Sequence, residues 1–274
     1  MDQLARTIDS AVQNNDYNAL CSVFLDHNGP PQWLTVGQGE QRSLSAHFIV
    51  QAVNSPTFLP AAFDNSDVVE VMNVTLKFLP TTVENGADNK LREKLFDHKV
   101  NKEGDYAGAA RVLAGMRMED DPNSVYCMDP AARCDVYVKI AECFLAEDLT
   151  AESDSAVNKA GTVLESINNP EEHMGLILRY KSTYARVLDA NRKFLQAAQR
   201  YHDLSQSLTD QIDADDLLQM LGRAATCAIL APESPQRRRI LGHVSTLYSS
   251  IYQYESFQYK FTYAHQCFIS HFKM

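Results

Sequence analysis

Apolar positions recur three and four residues apart along most of the chain. Met174, Ile177, Tyr180, Tyr184 and Leu188 mark one face of a helix. Ahead of them, Asn169-Pro170-Glu171-Glu172 offers an N-cap, a proline at the first helical position and acids at the positive end of the helix dipole. Asp189-Ala190-Asn191 interrupts the pattern. Phe194, Ala197, Ala198, Tyr201, Leu204 and Leu208 then resume it, which predicts an αα-hairpin with a short polar turn.

The same grammar appears twice more upstream. Asp129-Pro130 opens a predicted helix with Tyr137, Ile140, Ala141, Phe144 and Leu145 on its apolar face. Glu147-Asp148 ends it, and a partner helix carries Val157, Ala160, Val163 and Leu164. Earlier, Leu91, Leu95 and Phe96 precede Glu103-Gly104-Asp105, and Tyr106, Ala109, Ala110 and Leu113 follow; Gly104 suits a left-handed helix terminator. Tyr106, Ala109, Ala110 and Leu113 superimpose on Phe194, Ala197, Ala198 and Tyr201 at an offset of 88, and half of that, 44, lands on Thr150, Ser153, Asp154 and Val157. A period in the forties built from helix pairs predicts an all-α fold, an α-solenoid of tetratricopeptide-like or HEAT-like hairpins.

Outside that repeat the pattern changes. Residues 1–89 are less regular, with helices predicted around 4–13, 17–26, 42–53 and 67–79, and only Arg6, Arg42 and Lys77 as basic residues. Residues 90–247 form the repeat arm. Residues 248–274 are one third Tyr or Phe, against 9% aromatic in the whole chain, and read as a divergent tail.

Composition narrows the function classes. Among 274 residues, Gly and Pro number 11 and 10, which suits helices joined by short turns rather than a loop-rich β fold. The net charge of −10 disfavours binding to nucleic acid or anionic membrane. No apolar stretch is long enough for a bilayer span, and the start has no signal-peptide pattern, so a soluble intracellular chain is expected. Cys21, Cys127, Cys134, Cys143, Cys227 and Cys267 form no C-x-x-C and no zinc spacing, and read as packed thiols.

Little in the chain suggests catalysis. Gly37-Gln38-Gly39 lacks a third glycine and a preceding strand, so no dinucleotide loop is expected. Glu119-Asp120-Asp121 and Asp213/Asp215/Asp216 lie beside predicted turns and read as solvated. A thiol enzyme could be drawn from Cys143 and His173, and only the fold could bring those two together. No catalytic, cofactor-binding or metal-ligating residue is assigned. Arg237-Arg238-Arg239 follows Ser234-Pro235 at a predicted helix start, where cations oppose the dipole. A solvated turn and a contact for an acidic protein partner are the two readings, and the three arginines are kept as a candidate partner contact.

The residues Tyr184-Ala185-Arg186-Val187-Leu188-Asp189, then Arg192-Lys193-Phe194 and Ala197-Ala198-Gln199-Arg200-Tyr201, resemble the PCI-domain family that includes the fourth subunit of the COP-nine signalosome. Tyr137-Val138-Lys139-Ile140-Ala141, Ala109-Ala110-Arg111-Val112-Leu113 and Cys227-Ala228-Ile229-Leu230-Ala231-Pro232 add to the resemblance. It marks Tyr184, Arg186, Leu188, Asp189, Arg192, Phe194, Ala197, Ala198, Arg200 and Tyr201 as family-signature structural positions. The resemblance implies a non-catalytic scaffold, cytoplasmic and nuclear, in a complex that removes a ubiquitin-like modifier from cullins. Its implied partners are other signalosome subunits and a cullin–RING ubiquitin ligase. A proteasome-lid non-ATPase subunit and a free-standing peptide-binding repeat adaptor are the alternatives. After Leu247-Tyr248 the family continues into a PCI domain with a winged helix; here the aromatic tail stands instead, so a truncation before that domain is expected.

Overall fold

The computed structural model describes residues 2–26, 29–206 and 214–254, with side chains placed for 215–247 of the last stretch. Among the described residues the fold is all-α, and no strand forms beyond an isolated bridge between Glu119 and Cys127. None of these helices is long and apolar enough to cross a membrane. The chain divides into two compact units at Glu147/Asp148. The sequence reading places a boundary at 89/90, and those residues lie inside a helix.

The first unit holds α1 (Asp2–Asn14), α2 (Tyr17–Phe24), α3 (Gln38–Asn54), α4 (Phe58–Ala62), α5 (Ser66–Thr75), α6 (Ala87–His98), α7 (Tyr106–Ala114) and α8 (Pro130–Ala146). Helix α3 is central, packing against α1, α5 and α6, while α7 lies between α6 and α8. Its core is mainly aliphatic, with a run of aromatic rings through it. Phe24 meets Trp33 and Phe48 at ring-centre distances of 5.5 Å, and Phe48 continues to Phe58 at 6.2 Å. Edge-to-face and tilted rings of this kind add specificity to the area they bury.

The second unit holds α9 (Thr150–Leu164), α10 (Met174–Ala190), α11 (Phe194–Ser205), α12 (Ala214–Leu230) and α13 (Pro235–Tyr254). Each helix packs on the next in chain order, which is solenoid-type stacking. The core is built from Ala185, Leu188, Ala197, Ala198, Tyr201, Leu204, Leu221, Ala224, Cys227, Ala228, Ile240 and Val244.

The 44-residue period is present in the backbone. Helices α7, α9 and α11 begin at Tyr106, Thr150 and Phe194, 44 residues apart. Two residues before each start lies a residue in the left-handed region: Gly104 (φ 67), Asp148 (φ 56) and Arg192 (φ 57). At the last of these, Arg192 N–H donates to Asp189 O and Lys193 N–H to Leu188 O, both at 2.9 Å, the Schellman arrangement. Past the turn, Ala109, Ser153 and Ala197 are each fully buried, with N–H donated to Asp105, Leu149 and Lys193 respectively. Leu113, Val157 and Tyr201 close the next turn of each helix. The sequence pattern missed a fourth copy, Asn15 (φ 53)-Asp16-Tyr17, whose Asp16 carboxylate caps α2 as Asp105 caps α7.

Several sequence expectations need correction. Asn169 is not a side-chain N-cap: it is left-handed (φ 54), Pro170–His173 forms a 3-10 turn, and α10 starts at Met174. Of the predicted apolar face of α10, Leu188 is fully buried, while Met174, Ile177, Tyr180 and Tyr184 are half-buried. Thr183, Ala185 and Val187 are buried instead. The tyrosines stay at the rim because a phenol favours a wet end, and their rings stack 6.0 Å apart. Helix α8 buries Cys134, Val136 and Val138 as well as Ile140, Ala141 and Phe144, so a one-face reading understates it. Helix α4 was missed because Pro60 sits inside it. The helix expected at 67–79 ends at Thr75. Leu208 and residues 255–274 lie outside the described residues.

A buried polar lock holds the irregular connections of the first unit. Asp88 is fully buried, and Tyr126 Oη donates to its Oδ1 at 3.1 Å while accepting from Val83 N–H at 2.9 Å and Arg117 Nη1 at 3.2 Å. Arg117 also donates from Nη2 to Pro80 O at 2.7 Å and from Nη1 to Thr81 O. Asn89 and the Arg117 backbone exchange a pair of hydrogen bonds at 2.7 and 3.0 Å. Gly86 (φ 60) permits the approach, since a Cβ there would lie 3.1 Å from Val125 O. Among the described residues, Asp88 Oδ2 has no hydrogen bond and is met only by the Arg117 charge at 3.9 Å; the bonds that do form fix one arrangement, and loss of one member strands its partners.

Two predictions follow from this architecture. Replacing Gly104 with Ala lowers stability by about 1 kcal/mol, whereas Arg192→Gly raises it by up to about 1 kcal/mol, because a side chain is strained at these φ values. Denaturant unfolding checks the opposite signs. Tyr126→Phe loses about 1–3 kcal/mol in the same assay, since Asp88 and Val83 N–H lose their partner.

Candidate functional site

The family-signature residues all fall on the α10–α11 hairpin, and they divide into an inner and an outer set. Leu188, Ala197, Ala198 and Tyr201 are buried at 0–1% exposure and form the contact of α11 with its neighbours. Arg186, Arg192 and Arg200 are exposed, and Tyr184, Asp189 and Phe194 are half-buried. The outer set is organised: the Arg200 guanidinium lies 5.4 Å from the Tyr184 ring centre, and Tyr184 stacks on Tyr180. A cation–π pair at an exposed site contributes roughly 0.5–1 kcal/mol and holds the arginine in one pose.

Helix α13 flanks this hairpin. Ser234 caps it, with its Oγ accepting from Arg237 N–H at 3.1 Å. Arg237 is half-buried, and Arg238 and Arg239 are exposed. Gln236 Nε2 donates to Gln199 Oε1 at 3.2 Å, so the arginine turn is tied to α11 beside Arg200. A turn later, His202 of α11 stacks on His243 of α13 at 5.4 Å.

Three of the described thiols, Cys21, Cys134 and Cys227, are held in the protonated form by their surroundings. Burial, then the nearby Asp189 carboxylate, pushes Cys227 up to about 12. Burial, then Asp135, pushes Cys134 up to about 11, and Cys21 is raised by burial and Asp67. Such thiols stay protonated at neutral pH, and the thiolate is the reactive form. Cys143 is buried on α8 of the first unit, and His173 is half-buried just before α10 of the second. Among the described residues no cluster of three or more His, Cys, Asp or Glu could hold a metal ion. Burial also raises the Tyr201 phenol to about 12, with Arg223 opposing and Asp189 reinforcing the shift.

Comparison with known proteins points to the same hairpins. Residues 81–215 match the family model described as PSMD12/CSN4, N-terminal, an interval that contains α6 to α11 and all three turns of the 44-residue period. The chain is similar to the COP9 signalosome complex subunit 4 of Arabidopsis thaliana, 35% identical over 163 residues, 58% of this chain and 38% of that relative. It is 34% identical to the subunit of the same name in Emericella nidulans over 161 residues, 59% of this chain and 36% of that one. It is likewise 34% identical to the Dictyostelium discoideum subunit over 155 residues, 57% of this chain and 35% of that one. The match thus spans a little over a third of the length of these curated relatives. The resemblance read from the residues around Tyr184 and Tyr201 is borne out.

The raised acid constants set an expected pH response. Cys227 and Tyr201 remain protonated in the folded chain above the pH at which they ionise when unfolded, about 9 and 10. Their contribution is complete below pH 9 and is lost progressively toward pH 12. Unfolding midpoints measured between pH 7 and 11 should therefore fall above pH 9. At pH 7.5, iodoacetamide should label exposed Cys127 well before Cys134 or Cys227, read by mass spectrometry.

Proposed function

We propose, from the match of residues 81–215 to the PSMD12/CSN4 N-terminal family model, that the chain acts as a non-catalytic helical-repeat scaffold of a signalosome complex. The observation that carries this reading is that the matched interval contains α7, α9 and α11, whose starts lie 44 residues apart. Relatives carrying the name of signalosome subunit 4 favour this reading over a peptide-binding adaptor. Its partners are then other signalosome subunits, and its task is to hold or contact a cullin–RING ubiquitin ligase while another subunit removes the ubiquitin-like modifier. It works where cullins are modified, in cytoplasm and nucleus. The protonated buried thiols fit a subunit that contributes shape. A proteasome-lid subunit is the second reading, supported by the shared family description.

Affinity-tagged full-length chain expressed in its own cells should recover other signalosome subunits, identified by mass spectrometry. The purified chain alone should leave a modified cullin uncleaved. Recovery of proteasome-lid subunits instead would select the second reading. Unaided cleavage of the modified cullin would defeat both.

A further inference from the structure

The arginine turn of α13 is hard to explain by folding. Acids suit the first turn of a helix and cations oppose its dipole, yet this first turn has no acid and three consecutive arginines. None of Arg237, Arg238 and Arg239 forms an ion pair among the described residues, and Arg237 Nε is enclosed with no acceptor. In the same unit, Lys193 does reach a carboxylate, Asp154, at 3.5 Å.

The surface around this turn is organised. Gln236 is bonded to Gln199, and one residue on from each of these lie Arg237 and Arg200. Arg200 is held over the Tyr184 ring. The Gln236–Gln199 bond thus brings the first turn of α13, with its arginines, to the turn of α11 that carries Arg200, and Tyr184 stacks on Tyr180 beneath that arginine. The negative groups at hand are Asp203, already engaged by Gln199 at 2.7 Å, and exposed Glu233. Tyrosine and arginine are the residue types that dominate binding energy at protein interfaces.

We propose that Arg200, Arg237, Arg238 and Arg239, with Tyr184, form a docking surface for an acidic protein segment lying across α11. Paired guanidinium groups suit carboxylates, which they engage through two parallel hydrogen bonds. The chain's net charge of −10 opposes a long phosphate backbone, whereas a short acidic segment meets only the local positive field. The surface stands on this geometry and does not require the signalosome reading.

The test uses the full chain and a fluorescein-labelled oligoglutamate of about ten residues, followed by anisotropy in low salt, with oligothymidine of similar length as the phosphate probe. Oligoglutamate should bind, and Arg238→Glu with Arg239→Glu should weaken binding about tenfold or more. The melting temperature of that variant should hold or rise, because glutamates suit a helix start. Arg6→Glu with Arg42→Glu makes the same charge change on the first unit and should alter binding by no more than about twofold. Failure of the unmodified chain to bind oligoglutamate would overturn the proposal. So would equal losses in the two double variants, tighter binding of oligothymidine, or a melting drop assigning the arginines to folding. Arg238→Gln with Arg239→Gln, which adds no negative charge, should weaken binding by a smaller factor; unchanged binding there would also count against it.

Discussion

The repeat depends on one backbone constraint: the chain must reverse within about three residues and bury a small side chain one helical turn later. A left-handed residue achieves the reversal, because it ends the incoming helix and returns two N–H groups to its last carbonyls. Arg192 does this at φ 57 although its side chain is poorly suited to that region. The small residue then sets the spacing. Ala109, Ser153 and Ala197 each lie fully buried three residues into α7, α9 and α11, where a larger side chain would hold neighbouring helices apart. Tyr201 can pack fully inside because Ala197 and Ala198 leave room beside it.

The hairpins were legible in the sequence because their signals are local. Gly104, Asp129-Pro130 and the alanine pairs act within one turn of where they stand, and the helices begin where those signals place them. Asp148 and Arg192 carry no such signal alone, and only the 44-residue register with Gly104 gives them away. Asn15-Asp16-Tyr17 was readable by likeness to Gly104-Asp105-Tyr106, but an offset of 89 rather than 88 hid it. The polar lock had no local signature. Asp88 and Tyr126 are 38 residues apart, and nothing in either neighbourhood announces a buried carboxylate. Tyr180 and Tyr184 were misplaced because helical spacing says which residues share a face, not whether that face is dry.

The two units solve different packing problems. The second joins α10 to α11 and α12 to α13 by short turns, and small and apolar residues fill the contacts between these helices. The first has long connections at 76–86 and 115–129, whose backbone groups have no helix to satisfy them. Arg117, Asp88, Asn89 and Tyr126 meet those groups directly, reaching Pro80, Thr81 and Val83. Burying a carboxylate such as Asp88 is favourable only when charge and hydrogen bonds compensate it, as half-buried Arg117 and Tyr126 do here. That requirement makes the lock specific to one arrangement of the loops.

Six helices among the described residues, α1, α3, α5, α6, α9 and α12, carry an acid in the first turn, as the dipole favours. Helices α2, α4, α7, α8, α10 and α11 also lack that acid, so what distinguishes α13 is its run of arginines rather than the missing carboxylate. Keeping three cations there lowers the helix's own stability by a few tenths of a kcal/mol each, on the order of a surface dipole interaction. Folding offers no return for that, since the guanidinium groups find no carboxylate within the described residues. An acidic segment across α11, as proposed above, would supply the missing negative charge, and Arg200 seated on Tyr184 lies on the same part of that helix.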